Sequence, residues 1–422
     1  MPIRLWPILA FVAGMAFSLL QAQPAYDLLI RRGHVIDPKN GIDRVMDVAV
    51  KDGKIDRVAP SLPPASAQKV IDAQGLYVTA GLVDIHTHVF AAGTGTAFAG
   101  GDFGLPPDGL AMRSGVTTVV DAGSSGWRNF PEFKRRVIGR DINYPMVRVL
   151  AMLNIVGHGM GGGAVEQNTQ DMDGPATARV AKQFPEHVVG VKVAHYTGQD
   201  WIAVDRAVEA GTLAGIPVMV DFGRSTPARS YQDLVLKHLR PGDISTHMYA
   251  ASIPLFDEGG KLLPYLAQAR KRGIRFDLGH GNKSFFWEQA LPAARQGWMP
   301  DSISTDIHVR SQLASMKDMT VTMSKVLTLG ASLADVVRMS TIRPAEQIKR
   351  PDLGHLSPGA PADVAILRLE RGRYGYWDGE DIVREGAVRL TCELTLRNGQ
   401  VAWDLNGLAA RKYAAAKPAS SR

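Results

Sequence analysis

The chain holds a single cysteine, Cys392. No intramolecular disulfide can form, and Cys392 lies on a late β-like stretch far from the motifs described below, which argues against a cysteine nucleophile. No Gly-x-Ser-x-Gly elbow marks a serine hydrolase. The glycine clusters lack the Gly-Lys-Ser/Thr of a phosphate-binding loop. The formal net charge of +7 comes from dispersed Lys and Arg. No zinc-finger or RNA-binding signature accompanies it, so nucleic acid is not an expected partner. The basic, Ala- and Ser-rich end from Arg411 to Arg422 reads as a frayed terminus.

Long apolar runs are also missing, apart from Leu5 to Leu20. That run follows Arg4, contains Pro7 and Gly14, and precedes the small residue Ala22. The order is that of a secretory signal peptide over residues 1–22. It is short for a bilayer span, which needs roughly 20 apolar residues. The expectation is cleavage after Ala22, a secreted or periplasmic product, and no stable membrane insertion of the mature chain. An uncleaved anchor is the alternative.

What is present is a large, ordinary globular composition, 45% hydrophobic and 21% charged over 422 residues. Two β-rich ends flank a different middle. Val48-Ala-Val-Lys-Asp-Gly-Lys-Ile carries a hairpin signal at Asp52-Gly53, and Leu394-Thr-Leu-Arg-Asn-Gly-Gln-Val repeats it at Asn398-Gly399. The middle alternates apolar runs with helical patterns such as Trp201 to Leu213, Leu262 to Arg272 and Phe285 to Gln296. The eight runs are Gly81 to His88, Val116 to Ala122, Met146 to Leu153, Val188 to Val193, Pro217 to Phe222, Asp243 to Met248, Ile274 to Gly279 and Ser302 to Ile307. Repeated βα units point to an α/β fold, a closed (β/α)₈ TIM barrel. The expected organisation is a barrel over 80–350. A small β-sandwich-like domain joins 23–79 to 351–407, and 408–422 forms a flexible tail. Gly161-Gly-Gly and Ala91 to Gly104 read as mobile loops after strands, where barrel active sites lie.

The strongest chemical signal is Gly81-Leu-Val-Asp-Ile-His86-Thr-His88. Side chains at i and i+2 of a strand share a face. His86 and His88 are therefore expected to converge at the barrel mouth, where paired imidazoles suit a borderline cation such as Zn²⁺. Asp84 has the same parity and is expected to brace the pair from below.

With Gly190-Val-Lys192-Val, Ser245-Thr-His247, Ser304-Thr-Asp306-Ile-His308, Thr341-Ile-Arg-Pro-Ala and Leu356-Ser-Pro-Gly-Ala-Pro-Ala-Asp-Val, this stretch resembles the amidohydrolase superfamily. The likeness is to its dihydroorotase-like branch of amidohydrolase/deacetylase metallohydrolases. The resemblance covers nearly all of the chain after the signal segment. It implies a centre of one or two divalent ions, with zinc the expected metal. His86, His88 and Asp306 would hold one ion. Lys192, carboxylated by CO₂, would bridge both, and His247 would help hold the second. A lysine at the end of an apolar strand fits this, because a bare ammonium is costly to desolvate there.

One position departs from the family pattern. Where relatives usually end the fifth strand in His, Pro217-Val-Met-Val-Asp221 supplies a carboxylate. Asp221 can still bind Zn²⁺. It can also weaken the second site, change its metal or leave it empty. His195 could replace the imidazole, but a regular strand would point it away from Lys192. Asp306 is the expected general base, beside water made acidic by the metal. His158, His280 and His308 are candidate substrate contacts, and a satisfied loop histidine is the plainer reading of each.

The reaction implied by the resemblance is attack of metal-activated hydroxide on the acyl carbonyl of a small N-acyl or O-acyl compound. A cyclic amide, as in dihydroorotase or hydantoinase, is the second reading, and deamination a third. A barrel that binds metal without turnover is the non-enzymatic alternative. A homo-oligomer fits as readily as a monomer.

Overall fold

The computed structural model describes residues 24–90, 104–140, 144 and 146–411. The expected signal segment, nearly all of the 91–104 loop and the tail beyond 411 lie outside the described residues. Among the described residues no helix is long and apolar enough to cross a membrane.

The N-terminal part contributes β1 (Tyr26–Asp37), β2 (Ile42–Lys51), β3 (Lys54–Ala59), β4 (Ala67–Asp72) and β5 (Tyr77–Ala80). Asp52 and Gly53 both take positive φ, 50° and 71°, the left-handed pair that a two-residue hairpin between twisted strands requires. The barrel strands follow: β6 (Leu82–Thr87), β7 (Val116–Gly126), β8 (Arg148–Asn154), β9 (Val188–Val193), β10 (Val218–Val220), β11 (Ile244–Ser245) and β12 (Arg275–Phe276). They pair in sequence order, each parallel to the next.

The eighth run has no regular strand of its own, yet it closes the ring. Ser302 bridges Asp277 on one side and Ile307 bridges Thr87 on the other, both in parallel. Leu278 N donates to Ser302 O at 3.0 Å and His88 N to Ile307 O at 2.9 Å. Helices Ile202–Ala214, Pro264–Lys271 and Trp287–Arg295 fall on the helical patterns read from the sequence.

The barrel interior is packed, not hollow. Val83, Ile85, Val120, Ala122, Leu150, Met152, Val189, Met219 and Ile244 form one buried cluster, joined by Ala345, Ile348 and Leu353 from the segment after the eighth run. Burying a side chain of this kind stabilises by roughly 1.5–3 kcal/mol, and the cluster gives the strand ends a rigid base. Membership of Val83 and Ile85 shows where simple alternation stops. The pairing of β6 with β7 slips between Asp84 and Thr87, so the two histidines follow an irregularity in the strand.

Near the C-terminus, β13 (Val364–Trp377), β14 (Val383–Arg397) and β15 (Gln400–Asp404) return to the N-terminal strands. The order is β15-β14-β13-β5-β1-β2-β3, with β4 beside β1, giving one eight-stranded sheet drawn from both chain ends. Asn398 and Gly399 repeat the left-handed hairpin pair, with φ of 50° and 76°.

Candidate metal centre

The barrel strands end in polar side chains that point toward one another. His86, His88 and Asp306 each offer a ligand atom, all within 4.8 Å of one another, and all three residues are buried. Asp306 Oδ1 lies 3.0 Å from His88 Nε2 and 3.5 Å from His86 Nε2. The His247 ring stands 5.0 Å from the His86 ring.

Each imidazole is held from behind. His86 Nδ1 meets the Thr246 hydroxyl at 3.0 Å, and that hydroxyl donates to Asp277 Oδ2 at 2.8 Å. Because the hydroxyl proton is committed to Asp277, His86 Nδ1 carries a proton and donates to Thr246. Its Nε2 is then a lone pair aimed into the site. Asp277 is pinned in turn by Ser302 and Ser304, both donating at 2.6 Å. His88 Nδ1 meets Ser124 Oγ at 3.1 Å, and Ser124 N donates to Asp121 Oδ1 at 2.8 Å. His247 Nδ1 donates to Gly279 O at 2.6 Å. Outer partners of this kind fix the tautomer and orientation of metal-binding histidines.

The electrostatics agree. Burial pushes His86 down to about 3, with the Lys192 charge acting in the same direction and Asp306 opposing. A neutral imidazole is the form that binds a metal. Burial alone would raise Asp306, but His86 and His88 outweigh it and hold the carboxyl well below its usual range. A neutral His86 nitrogen, the His88 imidazole beside it and one ionised oxygen in a buried cluster fit a divalent cation such as Zn²⁺.

Lys192 ends β9 with 1% of its area exposed, and its Nζ lies 2.8 Å from His86 Nε2. Burial lowers its pKa, opposed chiefly by Asp221 and then Asp306. Asp221 follows β10, and its Oδ2 lies 3.7 Å from His247 Nε2. All six candidate ligands are therefore gathered at one end of the barrel.

Two expectations are corrected. Asp84 does not brace the imidazoles. Its carboxylate accepts from Thr305 N at 3.1 Å, Thr305 Oγ1 at 2.5 Å and His86 N at 3.2 Å. It ties the first barrel strand to the eighth run, because the register slip removes it from the face of the histidines. His195 does not follow strand alternation either. With φ of +54° it turns back, placing Nε2 3.5 Å from Asp221 Oδ2. Its Nδ1 bonds Glu166 Oε2 at 2.8 Å, which raises the imidazole to about 9. His247 and Asp306 share this left-handed backbone, at 60° and 49°. Strain of this sort at three neighbouring polar residues is typical of functional sites.

The three candidate substrate contacts separate. His280 is fully buried, stacks on Phe285 and engages both ring nitrogens, Nδ1 with Gly281 O at 3.0 Å and Nε2 with Lys325 Nζ at 2.7 Å. No nitrogen remains for substrate, so that expectation is corrected too. His308 stays near the centre, its ring 6.2 Å from that of His88, and burial lowers it to about 4. His158 is half-buried in the loop after β8, where Asp171 holds its backbone N–H at 3.0 Å.

Sequence reading missed the supports Asp121, Ser124, Thr246 and Asp277. A signal existed: Ser124, Thr246 and Asp277 sit at or beside the C-terminal end of a barrel strand, where polar residues serve the site, and Asp121 is a buried carboxylate within β7. Cys392 is buried, and burial pushes its thiol up to about 12, so it is no nucleophile at neutral pH.

A closed parallel barrel with two buried imidazoles and a carboxylate at its mouth defines a metal-dependent hydrolase. Residues 286–401 match the amidohydrolase family. A deacetylase of Brucella anthropi is 33% identical over 339 residues, 78% of this chain and 80% of the relative. The chain belongs to the amidohydrolase family, whose members of this kind act on carbon–nitrogen bonds other than peptide bonds. Among solved structures, an adenine deaminase superposes with a TM-score of 0.79 at 26% identity, covering 90% of this chain and all of that one. A dihydroorotase superposes with a TM-score of 0.74 at 26% identity, covering 89% and 98%.

Proposed function

We propose that this protein removes an acyl group from a small N-acyl or O-acyl compound, using a centre built on His86, His88 and Asp306. The observation that carries the reading is the approach of those three buried ligand atoms within 4.8 Å. The deacetylase name of a 33% identical relative supports the substrate class. His86, His88 and Asp306 would hold one ion. Lys192, Asp221 and His247 would hold a second.

A divalent ion such as Zn²⁺ supplies Lewis acidity, polarising the acyl carbonyl and lowering the pKa of water. Asp306 takes the proton of the attacking water on its carboxylate and returns it to the leaving nitrogen or oxygen. Its ionised state suits the first half of that cycle. The Thr246 and Ser124 hydroxyls keep His86 and His88 in one tautomer throughout. Burial of Lys192 favours its neutral amine, the form whose lone pair adds to CO₂. An N–C bond forms, one proton leaves, and the carbamate is an anionic oxygen donor. His308 and His158 stand as the substrate contacts.

The same reading extends to the chain's ends. The buried cluster of Leu28, Ile30, Val48, Val78, Val364, Ile366 and Leu394 lies within the terminal sheet and supports a sandwich-like layer folded over its own core. The basic and then apolar N-terminus supports export. N-terminal sequencing of the protein from cell fractions checks this, and an intact N-terminus in the cytoplasm would refute it.

A cyclic amide is the second reading, favoured by the likeness to a dihydroorotase. The deciding experiment strips the metal, restores Zn²⁺ and assays N-acetyl amino acids, O-acetyl compounds, dihydroorotate, hydantoin and adenine. Zinc-restored turnover of an acyl compound is expected, with Asp306→Asn slower by about 10³-fold at an unchanged melting temperature. Turnover of dihydroorotate or hydantoin alone selects the second reading. Bound metal with no turnover across the panel selects a non-catalytic barrel.

A further inference from the structure

A cavity of about 710 Å³ opens beside the metal centre, within the range of roughly 300–1,000 Å³ usual for small-molecule sites. None of the six candidate ligands lines it. Its walls come from three separate segments. Asn282 and Lys283 stand in the turn after β12. Leu313 and Ser315 stand in the segment after the eighth run. Trp377 and Val383 flank the turn between β13 and β14. The first wall reaches the centre directly, because Gly281, the residue before Asn282, abuts the Asp306 carboxylate.

One buried amine joins all three walls. Lys325, on the helix Met319–Thr328, is fully buried. Its Nζ meets His280 Nε2 at 2.7 Å, Ser315 O at 2.9 Å and Trp377 O at 2.6 Å. His280 Nδ1 lies 3.0 Å from Gly281 O, a carbonyl that can only accept. Nδ1 therefore holds the ring proton, and Nε2 accepts from the lysine. Each wall carries one bond to the same nitrogen.

The third wall is braced further. Gly379 N donates to Phe285 O at 3.0 Å. The Asp378 carboxylate accepts from Trp287 N at 3.0 Å, Glu380 N at 2.9 Å and Ile382 N at 3.0 Å. The terminal sheet thus reaches the barrel mouth and closes one side of a space next to the metal site.

Two large apolar side chains stand open at this space, Leu313 at 79% exposure and Val383 at 63%. Uncovered apolar groups around a concavity mark a ligand site. Asn282 and Lys283 add hydrogen-bond donors on the side nearer Asp306. An apolar wall with a few placed polar groups is the usual make-up of a substrate pocket. A carbonyl reacting beside Asp306 lies one residue from the Asn282 wall.

We infer that this cavity receives the non-acyl half of the substrate, an amine or alcohol with a large apolar body, and that Lys325 is the positioning residue that assembles it. The inference rests on the deacylase reading and names the part of the molecule that the reading leaves open.

Zinc-loaded protein assayed with N-acetylmethylamine and N-acetyl-2-phenylethylamine tests it. The kcat/KM ratio is expected to favour the larger compound by about 10-fold. Leu313→Asn and Val383→Asn, both at exposed positions, are expected to remove most of that preference through KM. Lys325→Met is expected to lower the ratio as well. A lysine that only stabilises the fold would lower the melting temperature and leave the ratio alone. No preference in wild type, or a ratio untouched by both rim variants, would overturn the inference. A ratio moved by the rim variants but not by Lys325→Met would strike the lysine's role. No turnover of either compound would count against the deacylase reading, and calorimetry with 2-phenylethylamine then decides the cavity by itself. Binding that Val383→Asn weakens would support the apolar pocket. No binding, or equal binding by both proteins, would remove it.

Discussion

Lys192 Nζ lies 2.8 Å from His86 Nε2, and both residues are 1% exposed. A charged ammonium is disfavoured in that position by burial, while Asp221, Asp306 and Asp277 around it favour positive charge. The proposed carboxylation would resolve the conflict by turning the lysine into an anionic ligand. Lys192→Ala should therefore lower the metal content, and acetate or propionate should restore part of it by occupying the vacated space. Unchanged metal, or no response to added acid, would remove Lys192 from the centre.

Thr246 passes the restraint of Asp277 to His86 without touching the ligand atoms. Thr246→Val keeps the shape and removes the hydroxyl. His86 then loses its fixed tautomer, and metal affinity should fall by about 10–100-fold. Ser124→Ala should act similarly through His88. Calorimetric titration with Zn²⁺ measures both, and wild-type affinity in both variants would refute the hydroxyl relays.

Gly281 has φ of +54°, and a Cβ there would stand 2.4 Å from Asp306 Oδ2. Gly281→Ala must push the carboxylate or distort the loop. Displacing a reacting group by about 1 Å costs on the order of 100-fold in rate. The expected result is a kcat lower by that factor with KM little changed. A variant with wild-type kcat would show that Asp306 does not depend on this contact.

Lys325 is a buried amine outside the metal centre, bonded to His280 Nε2, Ser315 O and Trp377 O. Burial pushes it from 10.5 down to about 7, with Asp378 opposing. Between those values the unfolded chain holds a proton that the folded chain has lost. Stability should therefore rise with pH across that window, by up to roughly 1.4 kcal/mol per pH unit, and this contribution should be flat below it. Lys325→Met should remove that slope. Denaturant melts from about pH 7 to 10 compare the two, and parallel curves would show that the amine stays protonated in the fold.

Some of this was legible in the residues alone. The 2-residue turns at Asp52-Gly53 and Asn398-Gly399 are local chemistry, since few residue pairs tolerate two positive φ angles. The eight apolar runs and the helices between them follow from periodicity, which burial of one face imposes. His86 and His88 were legible from their spacing on a strand, while Lys192, His247 and Asp306 were picked out by the family resemblance and Asp221 by its departure from it. Strands of a parallel barrel end on the same side, which is why the set converges.

By itself, then, the sequence determined the barrel, the sheet built from its two ends and the set of polar residues at the mouth. Only the tertiary structure decided which way three of those residues face. The slip in β6 takes Asp84 away from the histidines and onto Thr305. The left-handed backbone of His195 turns its ring onto Asp221, and Lys325 draws His280 away from any substrate. Alternation along a strand is a property of regular backbone. At the strand ends the backbone is irregular, and contacts between residues far apart in the chain set the direction of each side chain.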